Sequence, residues 1–165
     1  TVNYLSDLEQ RFSDIRKELD MAGQIDFQTV VIGEPRPLLS AVGEETHQIC
    51  REALTNAFRH SGATVIEVEI EYSARLFRIV VRDNGRGIDP KIISLGREGH
   101  FGLSGMRERA NGVAGQFKVF SRPEGGTEAE LSIPGRFAFE AHFSNIVSRW
   151  FHGRRRTKPK KEVSE

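Results

Sequence analysis

REALTNAFRHSGATVIEVEIEYSARLFRIVVRDNGRGID, residues 51–89, sets a helix, a hairpin and a glycine turn in succession, and its reading decides the fold. Through His60 the apolar positions Ala53, Leu54, Ala57 and Phe58 recur at helical spacing, and Ser61-Gly62 ends the run. Thr64 to Tyr72 and Leu76 to Arg82 then alternate apolar with polar residues across Ser73-Ala74-Arg75, the pattern of a β-hairpin. A hairpin makes an antiparallel pair. Asp83-Asn84-Gly85-Arg86-Gly87 follows directly at the strand end.

Upstream, this helix is predicted to begin near Gly43. Before it, Gln24 to Ile32 is rich in β-branched residues, stops at Gly33-Glu34-Pro35 and is predicted as a strand. Leu5, Leu8, Phe12, Ile15 and Leu19 predict a first helix from Asn3 to Ala22, ended by Gly23. Downstream, residues 83–126 hold ten of the sixteen glycines, with short helices predicted at Pro90 to Leu95 and Leu103 to Asn111. Gln116 to Ser121 and Thr127 to Ile133 flank Pro123-Glu124-Gly125-Gly126 as a second hairpin, and the body is expected to end at Pro134.

The order α, β, α, β, β, α, α, β, β implies an α/β (α+β) fold. Its economical form is a two-layer sandwich, a mixed and mostly antiparallel sheet with helices on one face. Three parts are expected: an N-terminal helix (1–23), the body (24–134) and an amphipathic, then basic, tail (135–165).

At 165 residues, 38% hydrophobic and 28% charged, the chain suits one folded domain and is too apolar for a disordered one. No stretch approaches the roughly 20 apolar residues of a spanning helix. The chain opens at Thr1, which suggests a piece of a longer protein. A single cysteine, Cys50, excludes an internal disulfide and a cysteine zinc cage. The net charge of +1 divides unevenly: residues 135–165 carry eight Lys or Arg against three Glu. In that tail Phe137, Phe139, Phe143, Ile146, Val147 and Trp150 can line one side of a helix, ahead of a solvated basic end.

Three groups of residues carry chemistry. On the second helix Glu52, Asn56, Arg59 and His60 share a stripe about a hundred degrees wide. Most such stripes are solvated faces, but a carboxamide oxygen beside a carboxylate suits a hard cation. Asp83 among glycines is most often a turn, yet a carboxylate fixed there can also accept from an exocyclic amine. Gly99-His100-Phe101-Gly102-Leu103-Ser104-Gly105-Met106 opens a helix, whose backbone N–H groups suit phosphate.

In order, REALTNAFRHSGA (51–63), VRDNGRGID (81–89), GHFGLSGMRERA (99–110) and GGTEAELSIP (125–134) resemble the N box and glycine boxes of the GHKL (Bergerat-fold) ATPase superfamily. Gly-Leu-Ser-Gly-Met-Arg-Glu-Arg looks like the sensor histidine kinases that act with NarL-type response regulators. The resemblance covers about residues 24–134. It implies that ATP and Mg2+ are the cofactors, with Asn56 on the magnesium ion and Glu52 as the catalytic carboxylate that orients or deprotonates the attacking group. It further implies that Arg59 and His60 lie near the phosphates and that Asp83 accepts from the adenine amino group. Gly85 and Gly87 would shape the base pocket, Gly102 and Gly105 would hold the phosphates, and Leu103 and Met106 join them in the ATP site. Thr127 would support Asp83 through water, and residues 88–101 would form a lid.

The Gly-Lys-Ser/Thr ending of a Walker loop and the context of a dinucleotide fold are both missing. None of the five histidines stands in the His-Asp or His-Glu context of a phosphoacceptor. The chain is therefore expected to supply ATP binding and phosphoryl-transfer machinery, with little activity alone. The acceptor histidine would lie on a separate dimerisation domain. A NarL-type response regulator is the expected downstream partner. No nucleic acid is expected, and contact with a membrane only through sensor segments elsewhere in a cytoplasmic, membrane-anchored protein. An anti-sigma-factor-like serine kinase and a self-sufficient gyrase-type ATPase are the alternatives, the latter disfavoured by the short lid.

Overall fold

Alternation governs the centre of the sheet, as the sequence predicts. In the computed structural model, which describes residues 7–95 and 102–141, strands β1 (Asp26–Ile32), β2 (Val65–Tyr72), β3 (Leu76–Asp83), β4 (Gln116–Ser121) and β5 (Thr127–Pro134) form one mixed sheet. The strand order is β1-β2-β3-β5-β4. β2 buries Ile66, Val68 and Ile70 and leaves Glu67, Glu69 and Glu71 on the other face. β3 pairs antiparallel with both β2 and β5, and β4 with β5. β1 alone runs parallel, to β2, because helix α2 (Ser40–His60) carries the chain across between them.

All the described long helices cover one face. Helix α1 (Asp7–Leu19) sends Leu8, Phe12 and Ile15 into the same core as Ile49, Leu54 and Ala57 of α2. Helix α4 (Leu103–Gly112) adds Leu103, Met106 and Ala110. The short helix α3 (Pro90–Leu95) leads away from the glycine turn. The predicted first helix overshoots α1 at its end, because the helix stops at Leu19 and the Asp20 carboxylate turns the chain by accepting the Gln24 and Ile25 N–H groups.

The uncovered face solves its burial problem with charge. Arg78 bonds Glu69, Glu71 and Glu130, and Arg82 bonds Glu67, Glu69 and Glu128, at 2.7 to 3.2 Å. Between them Val80 is fully buried. The aliphatic stems of arginines can cover apolar surface while their heads stay paired.

The start of α2 and the end of the body also move. α2 begins at Ser40, not Gly43, since Val42 is buried and Gly43 donates its N–H to Leu39 in a continuing helical turn. The packed body also runs past Pro134. Gly135–Ala138 forms one helical turn, α5, and Phe139 is buried, pairs with Leu38 and packs on Phe77 and Tyr72. Burial of that ring and of Ala138 extends the core by five residues. The remainder of the expected amphipathic tail, and its basic end, lie outside the described residues.

Candidate functional site

At one end of the helical layer, α2, α4 and the sheet leave a cleft of about 510 Å3. Val81, Val119 and Ala129 form its floor, Ala53 and Ala57 one wall, and Leu103 and Met106 another. Polar groups enter from a few fixed points: Asn56, His60, Asp83, Arg86 and Thr127.

Asp83 is 6% exposed at the end of β3. Its Oδ1 accepts the Gly85 N–H at 2.9 Å and the Thr127 N–H at 3.3 Å. Burial pushes this carboxyl above the ordinary aspartate range, against the pull of those donors and of Arg122. A carboxylate held this way in an apolar slot is an acceptor for an amine on a flat ligand. The Thr127 backbone reaches it directly.

The turn after Asp83 is fitted to the end of α2. A Cβ at Gly85 would stand 2.3 Å from the Ser61 carbonyl oxygen, so no side chain fits there. The Arg86 N–H donates to that carbonyl at 3.0 Å. Asn84 fastens the turn from the other side, its Oδ1 accepting the N–H groups of Thr64 and Val65 at 2.9 Å each. Sequence reading gave Asn84 no role, although asparagine beside a glycine turn is a known local acceptor of backbone N–H groups.

Gly102 caps α4 with φ +62°, a left-handed backbone that disfavours other residues. A Cβ there would lie 2.7 Å from Glu52 Oε1. Glu52 therefore stands against the first turn of α4, beside the cleft and not in its lining. Asn56, one turn further along α2, does line it. Gly105 faces open space, with no heavy atom within 4 Å of an added Cβ. The first-turn N–H groups of a helix lack helical acceptors, so this end of α4 suits an anion.

Of the residues predicted from sequence, the cleft gathers Asn56, His60, Asp83, Gly87, Leu103, Met106 and Thr127. Gly85 shapes it from behind, and Glu52, Gly102 and Gly105 border it. Arg59 is not brought in. Its side chain is exposed and is not among the cleft's lining, while Glu18 of α1 pairs with Arg51 at 2.7 Å. Residues 96–101, including most of the glycine run before Gly102 and the end of the expected lid, lie outside the described residues.

Sequence reading missed Arg86 as a lining residue, the apolar floor, and Ser121. The Ser121 hydroxyl accepts the Ile88 N–H at 3.1 Å and donates to the Ile88 carbonyl at 2.5 Å. Nothing in a serine at a strand end distinguishes that role.

Among the described residues no cluster of three or more His, Cys, Asp or Glu could hold a metal ion. The donors on α2 are the Asn56 carboxamide and the Glu52 carboxylate. That sparse oxygen set fits magnesium, which keeps waters and takes its other ligands from substrate phosphates.

Residues 41–136, more than half of the chain, match the family described as "Histidine kinase-, DNA gyrase B-, and HSP90-like ATPase". Among curated relatives, the signal transduction histidine-protein kinase/phosphatase DegS of Brevibacillus brevis is 36% identical over 110 residues, 67% of this chain and 27% of that protein. The nitrate/nitrite sensor protein NarX of Escherichia coli K12 is 40% identical over 86 residues, 52% of this chain and 14% of that protein. The chain thus spans about a quarter or less of the length of these two relatives. Among solved structures, the histidine kinase domain of the Erythrobacter litoralis EL346 blue-light activated kinase superposes with a TM-score of 0.65 at 21% identity, over 80% of this chain and 61% of that one. The catalytic domain of histidine kinase ThkA gives 0.65 at 18% identity, over 78% and 92%. These two show the shared fold, and the family match shows more: the chain belongs to the histidine kinase-, DNA gyrase B- and HSP90-like ATPases.

Proposed function

We propose that this chain is the ATP-binding catalytic part of a two-component sensor histidine kinase, which binds Mg-ATP and presents the γ-phosphate to a histidine on a separate dimerisation domain. The observation that carries the reading is the buried Asp83 at the end of an apolar cleft whose other polar wall is Asn56 on α2.

In this reading Asp83 accepts a hydrogen bond from the adenine amino group, and Gly85 and Thr127 hold its carboxylate in place for that bond. Val119, Ala129 and Met106 exclude water from the faces of the base. Asn56 lies toward the phosphates, with Gly102, Gly105 and the first turn of α4 opposite, and His60 adds a donor. Magnesium, when bound, neutralises phosphate charge. Glu52, beside Gly102, orients or deprotonates the attacking imidazole. No covalent intermediate on the protein is needed, because phosphoryl transfer depends on positioning and charge neutralisation. Residues 88–101 act as the lid. The similarity to NarX and to the NarQ homolog favours a NarL-type response regulator as the downstream partner. Among the described residues no helix is long and apolar enough to cross a membrane.

The test mixes the chain with Mg-ATP and a separately produced dimerisation domain from the same protein. Acid-labile phosphate on its histidine is expected, and Glu52→Gln should slow its appearance by about 100-fold or more, the scale of a lost acid–base group. Steady ATP hydrolysis by the chain alone with no phosphohistidine would overturn the reading. So would phosphoserine on a small antagonist protein.

A further inference from the structure

Ser121 lies at the meeting point of three parts of the cleft. It closes β4, its Cα partner across the ladder is Thr127, and the Thr127 N–H holds Asp83. Its hydroxyl accepts the Ile88 N–H at 3.1 Å and returns its own hydrogen to the Ile88 carbonyl at 2.5 Å. One side chain thus satisfies both backbone groups of Ile88, as a neighbouring strand would. The preceding Gly87 fits tightly under the same oxygen, since a Cβ there would stand 3.2 Å from Ser121 Oγ and 3.2 Å from the Gly126 carbonyl. Gly87 and Ile88 both line the cleft, on the side where the chain leaves the sheet for α3.

We infer that Ser121 is a positioning residue for nucleotide binding: its two hydrogen bonds fix the Gly87–Ile88 wall against the β4–β5 hairpin. The inference rests on the proposed ATP site and deepens it. Without the hydroxyl the Ile88 N–H and carbonyl have only water as partner, and the wall is free to move away from the base. The bonds lie outside the core, so their loss reaches the cleft geometry rather than the fold.

The experiment compares the parent chain with Ser121→Ala and Ser121→Thr, measuring the Kd for Mg-ATP by calorimetry, amide hydrogen exchange at Ile88, and thermal midpoint. Ser121→Ala is expected to raise the Kd about tenfold, the scale of about one net hydrogen bond lost. It should also speed Ile88 exchange and leave the midpoint nearly unchanged. Ser121→Thr, which keeps the hydroxyl, should restore affinity to within about threefold. Parent-like affinity in Ser121→Ala would overturn the inference, as would unchanged Ile88 exchange or an equal loss in Ser121→Thr. Failure of the parent itself to bind Mg-ATP would instead overturn the ATP site, and the inference with it.

Discussion

Asp83 sets functional demand against stability at a single residue. Burial raises its carboxyl above the value near 3.9 of an unfolded aspartate. The folded state therefore holds the proton more tightly than the unfolded one. That contribution to stability is present below pH about 3.9 and is lost as pH rises through the raised folded value. Removing the buried charge should therefore not cost stability above that value. Asp83→Asn keeps an oxygen for the Gly85 and Thr127 N–H groups and removes the charge. Urea unfolding at pH 7 should show it at least as stable as the parent, whereas its affinity for Mg-ATP should fall about 10- to 100-fold, the worth of a hydrogen bond to a charged acceptor. Coupled loss of stability and affinity would mean that Asp83 serves the fold. The sequence showed Asp83 as a candidate through its glycine neighbours. It could not show that Arg51 pairs with Glu18 of α1, or that Ser121 grips Ile88, because both contacts join distant segments.

At the level of elements, the sequence pattern was clearest where burial is one-sided. β2 alternates strictly, and β3 and the second hairpin alternate over most of their length, which made each legible. β1 is an edge strand with only partly buried inward residues such as Phe27 and Val31, so its alternation is faint and its parallel pairing has no local signal. α5 is one turn long and is defined by the burial of Ala138 and Phe139, which a period cannot reveal. α4 offers a direct test of stability against function. Gly105 lies within this helix and its Cβ direction is open, so Gly105→Ala should stabilise the chain by about 0.5–1 kcal/mol through helix propensity. The same methyl should weaken Mg-ATP binding by obstructing phosphate approach, an outcome that denaturant melts and calorimetry on one sample would separate. α1 belongs to the same core: Phe12 is fully buried, and Phe12→Ala should cost about 3–5 kcal/mol in chemical denaturation.

Over the whole molecule, helices cover one face of a five-stranded sheet, and the two arginines with their five glutamates dress the other. This leaves the cleft at one end of the helical layer as the place where ligand chemistry converges. The proposed division of labour follows from it, with nucleotide held here and the acceptor histidine delivered by another domain. The most direct test of that account is calorimetric titration of the chain with ATP, with and without Mg2+, alongside Asp83→Ala. The account predicts saturable one-to-one binding that magnesium strengthens and that Asp83→Ala weakens by about 100-fold or more, for loss of a charged acceptor in an apolar slot. No binding with magnesium present, or undiminished binding in Asp83→Ala, would contradict it.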